Sequence, residues 1–203
     1  MKVEELAVTG AFVFTPDVYP DHRGSFVSPF QQRAFASAKG APFLPVTQTN
    51  HSVSRRGVVR GIHYTVTPPG TTKYVYCAAG EAIDIVVDIR VGSPTYGKWD
   101  AVRVNPRDFR AVYFPVGVGH AFVALADDTV MSYMLTSAYV PEYEKAISVF
   151  DPDLGLPIPG DIEPIVSERD SVGPRLAEAA AAGLLPDYHE CRAIEERLLR
   201  SAS

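Results

Sequence analysis

Turn signals recur at short intervals along most of this chain, and their spacing constrains the fold more than any other feature. Between about residues 7 and 150, short runs rich in β-branched and aromatic residues are separated by PPG, AAG, GSPTYG, NPRD, PVGVG and ADD. This pattern is typical of a sandwich or barrel of short antiparallel strands. The clearest strands are predicted over residues 58–66, 73–78, 82–91, 101–104, 111–114, 120–125 and 130–135.

The segment GEAIDIVVDIR alternates with the period of a strand, so its side chains divide between two faces. One face carries Ile83, Ile85, Val87 and Ile89. The other carries Ala82, Asp84, Val86 and Asp88. A strand face that holds two aspartates either is solvated or lines a polar cavity.

Helices are predicted at the edges of this β-rich region. The first covers residues 31–39 and is ended by Gly40. Near the C-terminus, Pro174 opens a helix over 175–182, Gly183 ends it, and a second helix follows at about 189–200. Roughly 30 residues bury too little surface to fold alone. We therefore predict one all-β domain over 1–203, with a barrel at about 7–150 and a helical extension at about 171–203.

Composition narrows the class of protein. The net charge is −5 in 203 residues, which argues against a nucleic-acid binder but allows a local basic pocket for one anionic ligand. Cys77 and Cys191 lie far apart without a CxxC motif, which is typical of a reducing compartment. The N-terminal segment MKVEELAVTG lacks an apolar core, and no apolar run approaches the roughly 18 residues of a membrane span. We expect a cytoplasmic protein without membrane contacts.

His63 lies within a predicted strand, in VVRGIHYT. It is either a core histidine bonded to a backbone carbonyl or a general base, because imidazole titrates near working pH. Strict alternation puts Val59, Gly61 and His63 on one face and Arg60 on the other. Gly61 also marks a possible bulge that re-aims one of these side chains.

His120 lies in FPVGVGHAF, whose Pro-x-Gly-x-x-His spacing resembles the second signature of the cupin barrels. In metal cupins this histidine is a ligand, with partners from a first motif that contains His-x-His and a glutamate. Here the first motif reads GVVRGIHYT and lacks both the second histidine and the carboxylate. Three or four converging ligands are needed to hold a divalent metal, so we expect no metal site and no cofactor.

Three further candidates have ordinary structural interpretations when each is taken alone. Tyr133, in VMSYMLTSAY, fits core packing, and Lys73 fits a solvated strand end. Asp170, in VSERDSVGP, fits an N-cap or a turn before the Pro174 helix.

Together these segments resemble a known family. The blocks QTNHSVSRRGVVRGIHYT, PPGTTKYVYCAAGEAIDIVVDIRVGSPTYGKW, FPVGVGHAF and IVSERD are similar, in this order, to the dTDP-4-dehydrorhamnose 3,5-epimerases. The resemblance extends from DHRGSF to Asp170. It is greatest for the branch that serves antibiotic deoxysugars, in particular the C5-epimerases of epivancosamine-type amino sugars. It implies a metal-free cupin-type jelly roll and a homodimer that exchanges strands near its N-terminus.

The resemblance also implies an isomerase reaction and four catalytic residues. The substrate is a dTDP-linked 4-keto-6-deoxy sugar, whose C3 and C5 protons are acidified by the ketone. The family pattern assigns His63 as the base and Asp170 as its partner. It assigns Tyr133 as the acid on the opposite face and Lys73 to the C4 oxyanion, where charge develops.

Substrate contacts are assigned by matching position. They are Arg23, Phe26, Ser28, Gln48, Asn50, Arg60, His120 and Tyr139. Arginine holds phosphate oxygens in bidentate fashion, and Phe26 and Tyr139 are candidates to stack on thymine. In a dimer, Arg23 and Phe26 are expected to reach the partner's site. Ser28 stands where many members carry a glutamate, in RGSFVSPF, so its part in nucleotide recognition is open.

Two rival functions stay open at this point. One is a non-catalytic cupin that binds a nucleotide sugar or stabilises a biosynthetic partner, and the other is a 3,4-ketoisomerase of the same substrate. Retention of His63, Lys73, Tyr133 and Asp170 favours the epimerase, since a pure binder needs no acid and base on opposite faces. Because C3 is often fully substituted in antibiotic amino sugars, we predict inversion mainly at C5, with inversion at both C3 and C5 as the alternative.

Overall fold

A computed structural model of the protein describes residues 1–201 and is built mainly of strands. The strands are β1 (Lys2–Glu5), β2 (Phe12–Thr15), β3 (Val18–Asp21), β4 (Gly24–Val27), β5 (Gln48–Ser54), β6 (Val59–Thr65), β7 (Lys73–Ala79), β8 (Ala82–Val87), β9 (Trp99–Val104), β10 (Ala111–Phe114), β11 (Gly119–Ala124), β12 (Thr129–Leu135) and β13 (Glu144–Ala146). The helices are α1 (Gln32–Lys39), α2 (Glu168–Ser171), α3 (Leu176–Ala181) and α4 (Tyr188–Ser201), with a 3₁₀ turn at Pro141–Tyr143.

Two antiparallel sheets form the body of the molecule. The six-stranded sheet has the order β1-β2-β10-β7-β12-β5, and the five-stranded sheet has the order β13-β6-β11-β8-β9. Strands β3 and β4 form a separate hairpin. Apart from β1–β2 and β8–β9, neighbouring strands are not consecutive in sequence, so the chain crosses repeatedly between the sheets, as in the predicted jelly roll. The predicted strand at 82–91 ends earlier, at Val87, because Asp88 turns to accept bonds from Arg90.

The alternation of β8 separates two apolar clusters. Val86 packs between the sheets with Phe114, Phe122 and Met131. Ile85 packs on the other side of the five-stranded sheet, in a cluster whose members include Ile62, Ile147 and Leu176. Asp84 shares the inner face with Val86 and is 1% exposed. This face is therefore buried rather than solvated, and Asp84 bonds His120, which lines the cavity described below.

Strict alternation does not hold along β6, and the bulge that Gly61 indicated is the one found. On β11, His120 pairs with His63 and Phe122 pairs with Arg60, so three steps along β6 oppose two along β11. The extra residue is accommodated at Gly61, whose φ is +121° and where an added Cβ would lie 2.6 Å from the Ala121 Cα. This bulge turns His63 to the same side as Arg60.

The helices close the ends of the sandwich. Helix α1 ends at Gly40 (φ 74°), as predicted. Helix α4 packs Cys191 and Ile194 against Val116 of the barrel. Helix α2 was not predicted, and its Ser167 N-cap accepts a hydrogen bond from the Asp170 backbone. Within residues 1–201, no helix has the length and apolar character needed to cross a membrane.

Candidate active site

A cavity of about 700 Å³, including its open mouth, lies at one end of the two sheets. It is lined by seven of the residues that the sequence nominated: Asn50, Arg60, His63, Lys73, His120, Tyr133 and Tyr139. An eighth, Asp170, lies behind His63. The cavity walls come from both sheets, so groups on opposite walls can face a ligand from two sides.

His63 and Asp170 form a hydrogen-bonded pair on one wall. The His63 Nε2 lies 2.7 Å from Asp170 Oδ1, and the bulge at Gly61 points this imidazole into the cavity. The bond to Nε2 leaves Nδ1 as the nitrogen that can accept a proton. Burial lowers the pKa of His63, although the bond and charge of Asp170 partly oppose this. A lowered pKa keeps the ring neutral near pH 7, as a general base requires.

Asp170 is held as a carboxylate by several groups. Burial acts to raise its pKa, but the hydrogen bond and charge of His63 outweigh this and leave the pKa below its usual value. The Gly61 N–H donates to Asp170 Oδ2 at 3.2 Å, and Arg169 Nε lies 3.7 Å from Oδ1. The short helix α2 places this carboxylate, because its first turn is fixed by the Ser167 cap.

Tyr133 lies on the opposite wall, on β12 of the six-stranded sheet. Its hydroxyl lies 3.4 Å from the Ser52 Oγ of the neighbouring strand. Burial raises the pKa of the Tyr133 phenol, with a smaller contribution from the Asp84 charge. The phenol is therefore protonated at neutral pH, which suits a proton donor.

Lys73 begins β7 beside β12 and is 9% exposed. Burial lowers the pKa of its ammonium, while the charges of Glu144 and Asp84 oppose that shift. Glu144 also accepts a 2.6 Å hydrogen bond from Thr65, which fixes the carboxylate at the cavity wall. Lys73 is thus a buried cation that faces the cavity, and the solvated strand end considered from the sequence is not found.

A second histidine–carboxylate pair lies at the cavity wall, where His120 lines the cavity and Asp84 is buried. His120 Nε2 lies 2.5 Å from Asp84 Oδ1, and both residues are buried. The His120 ring packs on Phe114 at 4.4 Å between centroids and edge-on against Tyr133 at 5.8 Å. On the sheet, His120 is the direct cross-strand neighbour of His63.

The mouth of the cavity carries a polar group of side chains. The Gln48 Nε2 donates to Asn50 Oδ1 at 2.7 Å, and the Tyr139 N–H donates to Gln48 Oε1 at 2.9 Å. Gln48 therefore holds two cavity-lining residues in place. Tyr139 is 52% exposed, and Arg60 is exposed as well. An aromatic face and a cation at the mouth are suited to a base and a phosphate.

Besides Asp170 and Gln48, which bond cavity-lining residues, three nominated residues do not line this cavity. Arg23 pairs with Asp21 within the β3–β4 hairpin, and Phe26 on the same hairpin is 72% exposed. The Ser28 hydroxyl donates to the Phe30 carbonyl at 3.1 Å. Within one chain these residues contact no group of the cavity wall named above, so their role in binding stays a prediction that depends on a partner chain.

Sequence reasoning did not nominate Asp84, Glu144, Arg169 or Ser52 for the site. The sequence did contain a signal for Asp84, since the strand alternation placed it on a face suited to a polar cavity. Arg169 stood within the quoted SERD block. Glu144 and Ser52 had no local signal, because β13 and β5 become cavity walls only through pairing with distant strands.

The possible metal ligands are few. Across residues 1–201, no three or more His, Cys, Asp and Glu side chains are grouped so as to hold a metal ion. His120, the position that is a ligand in metal cupins, has its Nε2 bonded to Asp84. The donor set around the cavity is therefore suited to hydrogen bonding rather than to a metal, and the absence of a metal stays a prediction.

The chain is similar to known proteins over most of its length. The sequence profile of the dTDP-4-dehydrorhamnose 3,5-epimerase family matches residues 5–178. A dTDP-4-dehydro-6-deoxyglucose 3-epimerase of Streptomyces bikiniensis is 45% identical over 183 residues, which cover 90% of this chain and 93% of that protein. A dTDP-4-dehydrorhamnose 3,5-epimerase of Mycolicibacterium smegmatis is 44% identical over 201 residues, with 99% and 98% covered.

A solved structure confirms the fold. The crystal structure of a 3'-monoepimerase from Streptomyces bikiniensis, in complex with dTDP-quinovose, superposes with a TM-score of 0.90 at 43% identity. The match covers 95% of this chain and 97% of that one. The predicted all-β jelly roll and the predicted family resemblance are thereby confirmed.

Proposed function

Because the chain belongs to the dTDP-4-dehydrorhamnose 3,5-epimerase family, we propose that it is an isomerase that inverts a carbon next to the ketone of a dTDP-4-keto-6-deoxy sugar, in deoxysugar biosynthesis. The reaction needs a base on one face of the sugar ring and an acid on the other. It also needs a donor for the C4 oxygen, where negative charge develops.

The proton is removed by His63. Its Nδ1 accepts the acidified C–H proton, the electron pair of that bond forms a C=C bond to C4, and the carbonyl π pair moves to the C4 oxygen to give an enolate. Asp170 holds the ring through Nε2 and stabilises the imidazolium that forms. Lys73 donates to the enolate oxygen. Positioned proton transfer of this kind is typically worth about 10²–10⁴-fold, and one oxyanion donor about 10²–10³-fold.

Inversion is completed by Tyr133. Its phenol donates a proton to the opposite face of the enolate, and the ketone re-forms. The two centres His63 and Tyr133 belong to different sheets, and this is the observation that carries the proposal. A protein that only bound the nucleotide sugar would not need a neutral imidazole and a protonated phenol on facing walls.

The carbon that is inverted stays a prediction. The sequence favours C5, whereas the relatives described above are named as a 3-epimerase and a 3,5-epimerase. Inversion at C3 and inversion at C5 both proceed through an enolate at C4, so the arrangement of His63, Lys73 and Tyr133 suits either carbon. The choice depends on how the sugar ring sits against His63.

Proton NMR in deuterium oxide tests the proposal and the choice together. With dTDP-4-keto-6-deoxyglucose, which retains both protons, we expect the C5 signal to be lost before the C3 signal. Earlier loss of C3 would make the protein a C3-epimerase, and equal rates would indicate a double epimerase. Migration of the ketone to C3 would indicate the ketoisomerase. Absence of any exchange, despite dTDP binding, would leave the non-catalytic cupin.

We also propose that the enzyme is a homodimer in which the β3–β4 hairpin of one chain reaches the cavity of its partner. The exposed Phe26 and the outward Arg23 support this, since neither contributes to the cavity of its own chain. We infer a single domain over the whole chain. The free thiols Cys77 and Cys191 support a cytoplasmic location.

A further inference from the structure

The hydroxyl of Tyr133, the proposed acid, is bonded to a residue that does not itself line the cavity. Its partner is the Ser52 Oγ, at 3.4 Å, and neither hydroxyl has another hydrogen-bond partner within residues 1–201. Ser52 is half-buried on β5, the edge strand beside β12. The pair of hydroxyls therefore links the phenol to a polar group that is not part of the cavity lining.

The register of β5 against β12 explains this contact. Tyr133 lies directly opposite Asn50, and Ser52 lies opposite Met131, two residues further along the pair. Opposite side chains of an antiparallel pair share a face, and a diagonal neighbour on that face is within reach of a long aromatic side chain. Asn50 lines the cavity, whereas His51, between Asn50 and Ser52, is exposed. Ser52 is thus on the cavity side of β5, within reach of the phenol.

The direction of this hydrogen bond follows from the part proposed for Tyr133. An acid must direct its own proton at the sugar, so the phenol oxygen accepts from the Ser52 hydroxyl. Negative charge develops on that oxygen as the proton leaves. Burial raises the pKa of Tyr133, and the Asp84 charge adds to this, whereas the Ser52 hydrogen bond and the Arg60 charge lower it. A hydrogen bond to the charged form of a group favours that form, so Ser52 makes the phenol a better acid.

We propose that Ser52 is a positioning residue that donates a hydrogen bond to the Tyr133 oxygen and stabilises the phenolate as the phenol gives its proton to the enolate. This inference rests on the proposed epimerase function. The proton moves from the phenol oxygen to the ring carbon, and the O–H electron pair stays on the oxygen. Ser52 keeps its own proton throughout. It therefore affects inversion, which needs Tyr133, and not the removal of the sugar proton by His63 on the facing wall.

A second hydroxyl on the same two strands provides a matched control. Ser132, next to Tyr133 on β12, is buried and lies 2.9 Å from the Nδ1 of His51, its direct neighbour on β5. Successive side chains of a strand point to opposite faces, so this contact is on the other side of the sheet and does not line the cavity. Ser132→Ala therefore removes one hydroxyl contact between β5 and β12 without touching the phenol.

The ratio of inversion to proton exchange tests the proposal, with dTDP-4-keto-6-deoxyglucose in deuterium oxide. Loss of one hydrogen bond to a developing charge should reduce inversion by Ser52→Ala about 5–30-fold, with exchange at the same carbon changed less than about twofold. Ser52→Thr keeps the hydroxyl and should restore inversion, whereas the isosteric Ser52→Val should not. Ser132→Ala should keep both wild-type rates. Wild-type inversion in Ser52→Ala and Ser52→Val, or an equal loss of exchange and inversion, overturns the proposal.

A double-mutant cycle shows whether Ser52 acts through Tyr133. In the Tyr133→Phe background the phenol oxygen is absent, so Ser52→Ala should reduce the residual inversion by less than about twofold. A loss as large as in the wild-type background would show that Ser52 acts through another group and would overturn the proposal. A fall in dTDP affinity as large as the fall in inversion would assign Ser52 to binding and also overturn it. If the wild type inverts no carbon of any 4-keto sugar, the proposed function itself fails, a result distinct from these outcomes.

Discussion

Two parts of the molecule were predicted from the sequence to bind substrate, the barrel end and the β3–β4 hairpin. They differ in whether their predicted residues line the cavity of the same chain. The barrel end brings His63, Lys73 and Tyr133 to one cavity through strands of both sheets. The β3–β4 hairpin carries Arg23 and Phe26, and neither lines that cavity. A group needed for proton transfer must be held rigidly, and core strands do this. A group that only adds affinity can be supplied by a separate hairpin, including one from a second chain.

This comparison predicts a division of kinetic effects. Substitutions at the barrel end should reduce kcat and leave nucleotide affinity nearly unchanged, because the interactions lost are those of the transition state. Substitutions on the hairpin should raise KM and leave kcat nearly unchanged. The five predictions below test this division, from the largest effect to the smallest.

The largest effect is expected for His63→Asn. Loss of the base should reduce exchange and inversion by about 10³–10⁴-fold, while dTDP binding and the melting temperature change little. His51→Asn is a matched control, because His51 on β5 bonds Ser132 and does not line the cavity. A His63→Asn enzyme within tenfold of the wild-type rate would falsify the assignment of the base.

Tyr133→Phe should separate two events that the wild type couples. His63 can still take a proton and return deuterium to the same face, so we expect exchange to continue while inversion falls about 10²–10³-fold. Tyr64→Phe is the control, since its hydroxyl donates to the Leu184 carbonyl outside the cavity. NMR and chiral analysis of the product measure both rates. Equal loss of exchange and inversion would exclude Tyr133 as the opposite-face acid.

Asp170→Asn should have a smaller effect, about 10–100-fold on kcat/KM, because the base remains but loses its partner. It should also move the pH profile. The base acts only when neutral, and burial lowers the pKa of His63, so the wild-type acid limb should lie below the ordinary histidine value. Asp170 opposes that lowering, so its removal should shift the acid limb to still lower pH. A shift to higher pH contradicts the proposed pairing.

Substitutions on the hairpin should have modest effects of a different kind. Arg23→Ala removes a charged hydrogen bond of about 1.5 kcal/mol if the hairpin reaches a partner's site, so KM should rise about tenfold with kcat unchanged. Mixing Arg23→Ala with His63→Asn chains sharpens the test. In the heterodimer, the cavity with an intact His63 belongs to the Arg23→Ala chain and is served by the intact hairpin of its His63→Asn partner, so its KM should return to the wild-type value. If KM in the Arg23→Ala homodimer equals the wild-type value, the hairpin has no part in binding.

The sequence was most informative where a pattern is local. The alternation of GEAIDIVVDIR placed Asp84 on the cavity side, and Gly40 ended α1 as predicted. Strict alternation failed where a single residue breaks the pattern, since the bulge at Gly61 puts His63 and Arg60 on one face instead of two. The position of Glu144 at the cavity could not be predicted, for another reason. Its strand β13 reaches the cavity only because it pairs with β6, about 80 residues earlier in the chain.

The catalytic nominations came from the family resemblance rather than from physical reasoning about single residues. Taken alone, Lys73 and Tyr133 fit a solvated strand end and a core position. Only the folded arrangement shows that both are held at one cavity by adjacent strands, with Leu135 of β12 opposite Lys73. Burial then sets the protonation of the phenol. Long-range strand pairing and desolvation are the two quantities that a single sequence does not display.

The smallest effect is expected from metal removal, which tests whether the barrel end works with side chains alone. The enolate can be stabilised by Lys73, and His120 already has its Nε2 bonded to Asp84. Binding of a divalent ion at the His120 Nε2 would require that bond to break, and an ion in this cavity would have an unfavourable charge interaction with the Lys73 ammonium. We therefore expect exhaustive chelation to change kcat by less than about twofold, with the wild type and Arg23→Ala responding alike. A large loss of activity that one divalent ion restores would show that the barrel end needs a metal. The assignment of kcat to the side chains of the barrel end and of KM to the hairpin would then be wrong.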